Sequence, residues 1–111
     1  MMLLRRIILI KKIKTYLGFA IKSGKIIFGY DKLFEGKKTP SLVLICSSLN
    51  DKNTDKVKSF CENYNIKYIK LSNLLLSDIV SRNSKVVGIC DLNLSQVICC
   101  ELDLLNGNKK I

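Results

Sequence analysis

The sequence contains no histidine. Histidine is the side chain whose pKa lies nearest to neutral pH, so the commonest general base and the commonest metal ligand are both missing. The five cysteines form no C-x-x-C pair of the kind that binds zinc. The phosphate-binding patterns G-x-x-x-x-G-K-[ST] and G-x-G-x-x-G are also absent. We therefore expect a protein that is not an enzyme, with no metal, no cofactor and no small-molecule substrate.

The number of cysteines is odd, and no secretory signal precedes them. This combination is typical of reduced thiols in a cytoplasmic protein. Cys46 and Cys90 end apolar runs, and Cys61 lies on an apolar helical stripe, so core packing is the favoured role for all three. The neighbouring pair Cys99-Cys100 lies within a predicted helix, where one thiol is expected to pack inward. A redox role for that pair is the less favoured alternative.

Long apolar runs are absent from the beginning of the chain. The uninterrupted apolar run at residues 7–10 is too short to span a bilayer and shorter than the core of a signal peptide. Residues 1–12 are interpreted as a possible N-terminal extension, either a helix or a flexible arm. A basic amphipathic helix lying on a membrane surface is a minor alternative, and we expect no membrane partner.

Positive charge is abundant and unevenly distributed. The net charge is +10, with 19 Lys and Arg against nine Asp and Glu, and the isoelectric point is about 9.5. The first forty residues hold ten basic and two acidic side chains, a net charge of +8. Such a concentration favours a polyanionic partner, usually nucleic acid, over the alternative of a lysine-rich surface without a ligand.

Helices and strands are predicted to alternate along the chain, which indicates an α/β domain with helices on both faces of a sheet. Helical stripes of apolar residues include Ile21, Tyr64 and Val97, and Asp91 is predicted to cap the last helix. The length of 111 residues favours one domain over residues 1–111, with a frayed basic tail at 106–111. Strands are predicted at 25–28, 42–46, 66–71 and 85–90, and helices at 13–22, 30–35, 53–65, 72–80 and 92–102.

The turn after the first strand is the strongest candidate for a binding surface. Gly29 either provides a positive φ or allows the backbone of a partner to approach closely. Tyr30 offers a ring for stacking, or else packs against the edge of the sheet. The lysines that flank this turn are interpreted as a phosphate-binding rim, the alternative being solvated surface lysines; they are Lys25, Lys32, Lys37 and Lys38. Lys22 is interpreted as a further phosphate contact.

Several stretches resemble the ribosomal L7Ae/L30e family, and in particular its bacterial YlxQ-type members. The stretch YLGFAIKSGKIIFGYDKLFEG at residues 16–36 resembles the beginning of these proteins. Later stretches agree in the same order: LVLIC at 42–46, NTDKVKSFCENYNIKY at 53–68 and KVVGICDLNLSQVI at 85–98. The resemblance covers roughly residues 13–100.

This resemblance implies a three-layer α-β-α sandwich around a four-stranded mixed sheet, and RNA binding, often to a kink-turn. In the family, RNA contacts the G-x-N-E-x-x-K turn after the first strand and the loop before the last strand. Carried over, the turn begins at Gly29 and Tyr30, and the second loop is SRNSK at 81–85. The family Asn, Glu and final Lys are replaced here by Asp31, Lys32 and Glu35. The base-reading set is therefore altered.

We therefore expect a monomeric, cytoplasmic RNA-binding protein whose partner is ribosomal or another structured RNA, possibly within the ribosome. The alternative is a protein–protein adaptor on the same fold. The predicted RNA-binding residues are Lys22, Lys25, Gly29, Tyr30, Asp31, Lys32, Lys37, Lys38, Arg82 and Lys85.

Overall fold

A computed structural model of the chain describes residues 2–71 and 84–105. The predicted helix at 72–80, Arg82 and the tail at 106–111 lie outside these residues. In chain order, the described helices and strands are α1 (Met2–Lys22), β1 (Ile26–Phe28), α2 (Tyr30–Glu35), β2 (Leu42–Cys46), α3 (Asp51–Asn63), β3 (Lys67–Leu71), β4 (Val86–Ile89) and α4 (Leu92–Leu105). Helices and strands alternate as predicted from α1 to β3, and a helix again follows β4.

The four strands form one mixed sheet in the order β1-β4-β2-β3. β4 is antiparallel to both of its neighbours, whereas β2 and β3 are parallel. β1, β2 and β3 therefore run in the same direction, and their carboxyl ends meet the beginning of β4 at one end of the sheet. This arrangement confirms the four-stranded mixed sheet, and it brings the turn after β1 close to the segment before β4.

Helices cover both faces of the sheet. All five residues of β2 are buried, because alternate side chains enter two different cores. Leu44 packs with α1 and α4 on one face, whereas Val43 and Ile45 pack with α2 and α3 on the other. The three-layer α-β-α sandwich is thus confirmed.

The first helix is continuous from Met2, so no break separates residues 2–12 from the rest of α1. Leu9, Ile13, Leu17 and Ala20 are buried at intervals of three and four residues, which places one face of the helix on the sheet. Among the described residues, no helix combines the length and the hydropathy that crossing a bilayer requires.

Three residues predicted on core-facing stripes are exposed instead: Ile21 at 41%, Tyr64 at 64% and Val97 at 38%. Ile21 follows the buried Ala20 and Val97 precedes the buried Ile98, and neighbouring residues on a helix point about 100° apart. These two therefore lie at the borders of their stripes. Tyr64 lies one residue beyond the end of α3.

Side-chain caps fix the beginnings of the two longer helices that follow strands. The Asn50 side chain accepts a hydrogen bond from the Asn53 backbone N–H at 2.8 Å, so α3 begins two residues before the predicted start. Asp91 caps α4 as predicted, since its Oδ1 accepts from the Leu94 backbone N–H at 3.0 Å. The same carboxylate lies 3.6 Å from the Lys25 Nζ and thereby links the beginning of β1 to α4.

The Asp91 carboxylate is expected to make the stability depend on pH. The Leu94 N–H and the Lys25 ammonium lower the pKa of Asp91. A carboxyl group whose pKa is lower in the folded state stabilises the fold above its ordinary pKa, and this contribution is lost as the pH falls. Asp91→Asn keeps an acceptor for the cap without a charge. Its Tm should therefore fall less than that of the native chain between about pH 5 and pH 2. Thermal unfolding at several pH values tests this, and parallel Tm curves for the two proteins would contradict it.

Candidate nucleic-acid interface

Gly29 forms the turn between β1 and α2. Its φ of 90° lies in the region that favours glycine, and its backbone N–H donates to the Val86 carbonyl at 2.8 Å. A Cβ built at Gly29 would meet no atom within 4 Å. The two roles predicted for this glycine are therefore compatible. The positive φ favours glycine, and the open surface beside Gly29 leaves space for the backbone of a partner to approach.

The segment before β4 lies against this turn. The Lys85 carbonyl accepts from the Cys46 backbone N–H at 2.8 Å, and the Ser84 hydroxyl donates to the Val86 carbonyl at 2.9 Å. Val86 is also the partner of Gly29. The fold therefore brings together Gly29 and the exposed Lys85, as the two-loop prediction requires.

The short helix α2 holds the next predicted residues. Asp31 and Lys32 are exposed on its first turn, while the fully buried Leu33 anchors the helix on the sheet. Tyr30 is half-buried, and its hydroxyl accepts from the Asn53 Nδ2 at 3.3 Å. These contacts favour the packing role of Tyr30, which ties α2 to α3.

A groove of about 290 Å³ runs along β1 between α2 and the loop that follows α2. Its polar lining comes from Lys32, Glu35, Lys37 and Lys38, and its floor is the apolar side of β1. The Lys37 ammonium lies 3.8 Å from the Glu35 carboxylate, so this acidic residue is partly neutralised within the groove. Three lysines on one concave surface form a positively charged path that leads toward the Gly29 turn.

Lys22 and Lys25 lie at the opposite end of β1 from Gly29, and the groove residue Lys38 also reaches this end. Lys25 pairs with Asp91, and the Lys38 ammonium donates to the Gly24 carbonyl. Lys22 is the exposed last residue of α1. A three-residue strand spans about 10 Å. The lysines predicted to form a rim therefore extend along β1 and do not surround Gly29.

Sequence reasoning missed a row of aromatic rings beside this surface. Tyr30, Phe34, Phe60 and Tyr64 follow one another with ring centroids 6.0, 5.4 and 4.9 Å apart. The row crosses from α2 to α3, and Phe34 and Tyr64 are exposed. Tyr30 and Phe34 are four residues apart in the sequence, as are Phe60 and Tyr64, and residues at this spacing share one face of a helix. This spacing is the sequence signal that could have indicated the row.

A model of the ribosomal protein L7Ae/L30e/S12e/Gadd45 family matches residues 11–99. The chain belongs to this family. The match confirms the resemblance found in the sequence, while assignment to the YlxQ-type members stays a prediction.

Solved structures support the fold of this family member. A protein with unknown function from Bacillus halodurans C is similar, with a TM-score of 0.68 and 21% sequence identity. The alignment covers 83% of this chain and 97% of the Bacillus chain. At that identity the similarity establishes the shared fold alone. No curated protein matches the sequence.

Proposed function

We propose that this member of the L7Ae/L30e family is a non-enzymatic, cytoplasmic RNA-binding protein that acts as one domain over residues 1–111. It binds structured RNA, such as a kink-turn or a related internal loop, through the Gly29 turn and the loop before β4. Membership of a family of ribosomal RNA-binding proteins and a net charge of +10 support this function.

The proposal depends mainly on one observation: the Gly29 backbone N–H and the Ser84 hydroxyl both donate to the Val86 carbonyl. Because the Gly29 N–H bonds to the Val86 carbonyl, the turn and the Ser84–Lys85 segment form one continuous surface. RNA that deviates from a regular helix offers splayed bases and a bent backbone to such a surface. The open space beside Gly29 allows the RNA backbone to approach the protein backbone closely.

The groove along β1 supplies the charge for this function. Lys32, Lys37 and Lys38 line it and would neutralise phosphates on the strand that leaves the turn. Lys85 would do the same on the other side of Gly29. Lys25 contributes less in this arrangement, since Asp91 already pairs with its ammonium.

Base recognition at the turn differs from the family pattern. Asp31 is exposed and, when ionised, only accepts hydrogen bonds, so it suits the exposed amino groups of guanine or cytosine. Lys32 only donates, so it suits phosphate or the acceptor edge of guanine. An RNA selected by this protein should therefore place a donor-rich base edge opposite Asp31.

Titration of three nucleic acids at several salt concentrations tests the proposed function. The probes are an RNA with a kink-turn internal loop, an RNA duplex of equal length without the loop, and a DNA duplex. We expect the loop-containing RNA to bind at least roughly tenfold more tightly than either duplex, because duplexes offer only phosphate contacts. Equal affinities with a steep salt dependence would contradict recognition of the loop. No binding to any probe at low salt would contradict RNA binding altogether and favour the adaptor function.

A further inference from the structure

The aromatic row formed by Tyr30, Phe34, Phe60 and Tyr64 has no role in the proposed function. It begins at Tyr30, the residue that directly follows Gly29, and continues to Phe34 near the end of α2. From there it crosses to Phe60 on α3 and ends at Tyr64, one residue beyond that helix. The aromatic row therefore leads away from the Gly29 turn along the surface between α2 and α3.

The helix α2 separates the aromatic row from the lysine groove. Lys32 and Phe34 are two positions apart in this helix, so their side chains point about 200° apart around its axis. Lys32 lines the groove, whereas the Phe34 ring packs against the Phe60 ring. An RNA strand at the turn would therefore meet lysines on one side of α2 and aromatic rings on the other.

The row combines rings that are fixed by packing with rings that are open to solvent. Tyr30 and Phe60 are half-buried and pack against the core on the α2 and α3 face of the sheet. Phe34 is 38% exposed and Tyr64 is 64% exposed. Neighbouring ring planes are inclined by 48–56°, so no ring lies flat on the next one. Rings held in this way lose little conformational freedom when a flat ligand packs on them.

A depression of about 440 Å³ lies beside the two central rings of the row. Ser59 and Asn63 line it with groups that can donate and accept hydrogen bonds. The Asp55 carboxylate and the Lys56 ammonium also line it, and their opposite charges balance each other. This surface suits a flat, neutral group with a polar edge, such as a nucleobase, and it offers little attraction to phosphate.

We propose that the aromatic row binds the bases of a single-stranded RNA segment that continues from the loop at the Gly29 turn. This inference rests on the proposed function, because it requires RNA at that turn. Every base has a flat face that stacks on aromatic side chains, so the contact needs no particular sequence. The continuity of the row with the Gly29 turn favours RNA over a partner protein as the occupant.

The test compares the kink-turn RNA with the same RNA carrying an unpaired oligouridine extension, placed on each strand in turn. The extension contains one 2-aminopurine, whose fluorescence is quenched when the base stacks. We expect one of the two extended RNAs to bind at least roughly tenfold more tightly than the RNA without an extension. Its fluorescence should be quenched on binding.

The ring variant combines Phe34→Leu with Tyr64→Leu, which removes both exposed rings and keeps apolar side chains. It should lose roughly fivefold or more of the affinity gained from the extension, and keep its affinity for the RNA without one. The ratio of native to variant affinity should hardly change with salt, because no charge is removed. Phe34→Trp combined with Tyr64→Trp should retain the gain.

Phe19→Leu is the matched control for the loss of an exposed ring. Phe19 is 53% exposed and lies on α1, which covers the other face of the sheet. This variant should keep the whole gain from the extension. Thermal unfolding of each variant verifies that it is folded at the temperature of the binding measurements.

The outcomes separate this proposal from the function on which it rests. If the kink-turn RNA binds more tightly than the duplexes but neither extension adds affinity, the row does not bind single-stranded RNA and the proposed function stands. A row that serves a partner protein would give this result. A gain that survives in the ring variant, or an equal loss in the Phe19 variant, would also overturn the proposal. If no RNA binds, with or without the extension, the proposed function fails and this inference fails with it.

Discussion

A Gly29→Ala protein is expected to bind structured RNA at least roughly tenfold more weakly than the native chain, a loss of about 1.4 kcal/mol of binding free energy. The φ of 90° and ψ of 146° at Gly29 lie in a region that is nearly restricted to glycine, and other residues there cost roughly 1–3 kcal/mol. The alanine Cβ would also project into the open space beside the turn, where we place the RNA backbone. Binding is measured well below the Tm of the variant, so that the folded fraction does not limit it.

Gly24→Ala provides the matched control for backbone strain. Gly24 also has a positive φ, of 71°, and open space where a Cβ would lie, but it lies at the opposite end of β1 from Gly29, where its carbonyl accepts a hydrogen bond from one groove residue, Lys38. We expect this variant to lose stability while keeping most of its RNA affinity. If the two variants lose affinity in proportion to their loss of Tm, Gly29 serves the fold alone and the turn does not contact RNA.

The fold was largely predictable because its signals are local. The apolar run of β2 indicates a strand buried on both faces, and the side chain of Asp91 indicates where α4 begins. The start of α3 was misplaced because Asn50 follows a serine-rich loop and its capping role depends on a single hydrogen bond. Exposure at the ends of stripes, as at Tyr64, depends on where a helix stops, and periodicity does not specify that point.

The candidate site was less predictable because it depends on strand pairing. Nothing in the spacing of residues places Gly29 beside Lys85, and only the resemblance to the family suggested it. The pairing of β1 with β4 also brings Lys25 to Asp91, which engages a lysine that sequence reasoning assigned to RNA.

Replacing the three groove lysines with glutamine is expected to have the second large effect, on the salt dependence of RNA binding. The logarithm of the affinity falls linearly with the logarithm of the salt concentration, and each phosphate contact that is lost makes this negative slope less steep by about 0.7–0.9. Loss of Lys32, Lys37 and Lys38 together should therefore make the slope less steep by about two to three and reduce the affinity at low salt by roughly a hundredfold. Part of this loss arises because Glu35, now without Lys37, repels phosphate inside the groove.

The matched control replaces Lys52, Lys56 and Lys70, three exposed lysines outside the groove, so both proteins lose the same net charge. If net charge alone attracts RNA, the salt dependence of the affinity will become less steep by the same amount in both triple variants. That result would show that the groove is not the phosphate path. If the groove is that path, the control keeps most of its slope because its lysines touch no phosphate. Glu35→Gln is expected to change the affinity in the opposite direction. Removing the carboxylate that lines the groove should raise the affinity for RNA by about threefold, and only at low salt, where the repulsion between this carboxylate and phosphate is least screened.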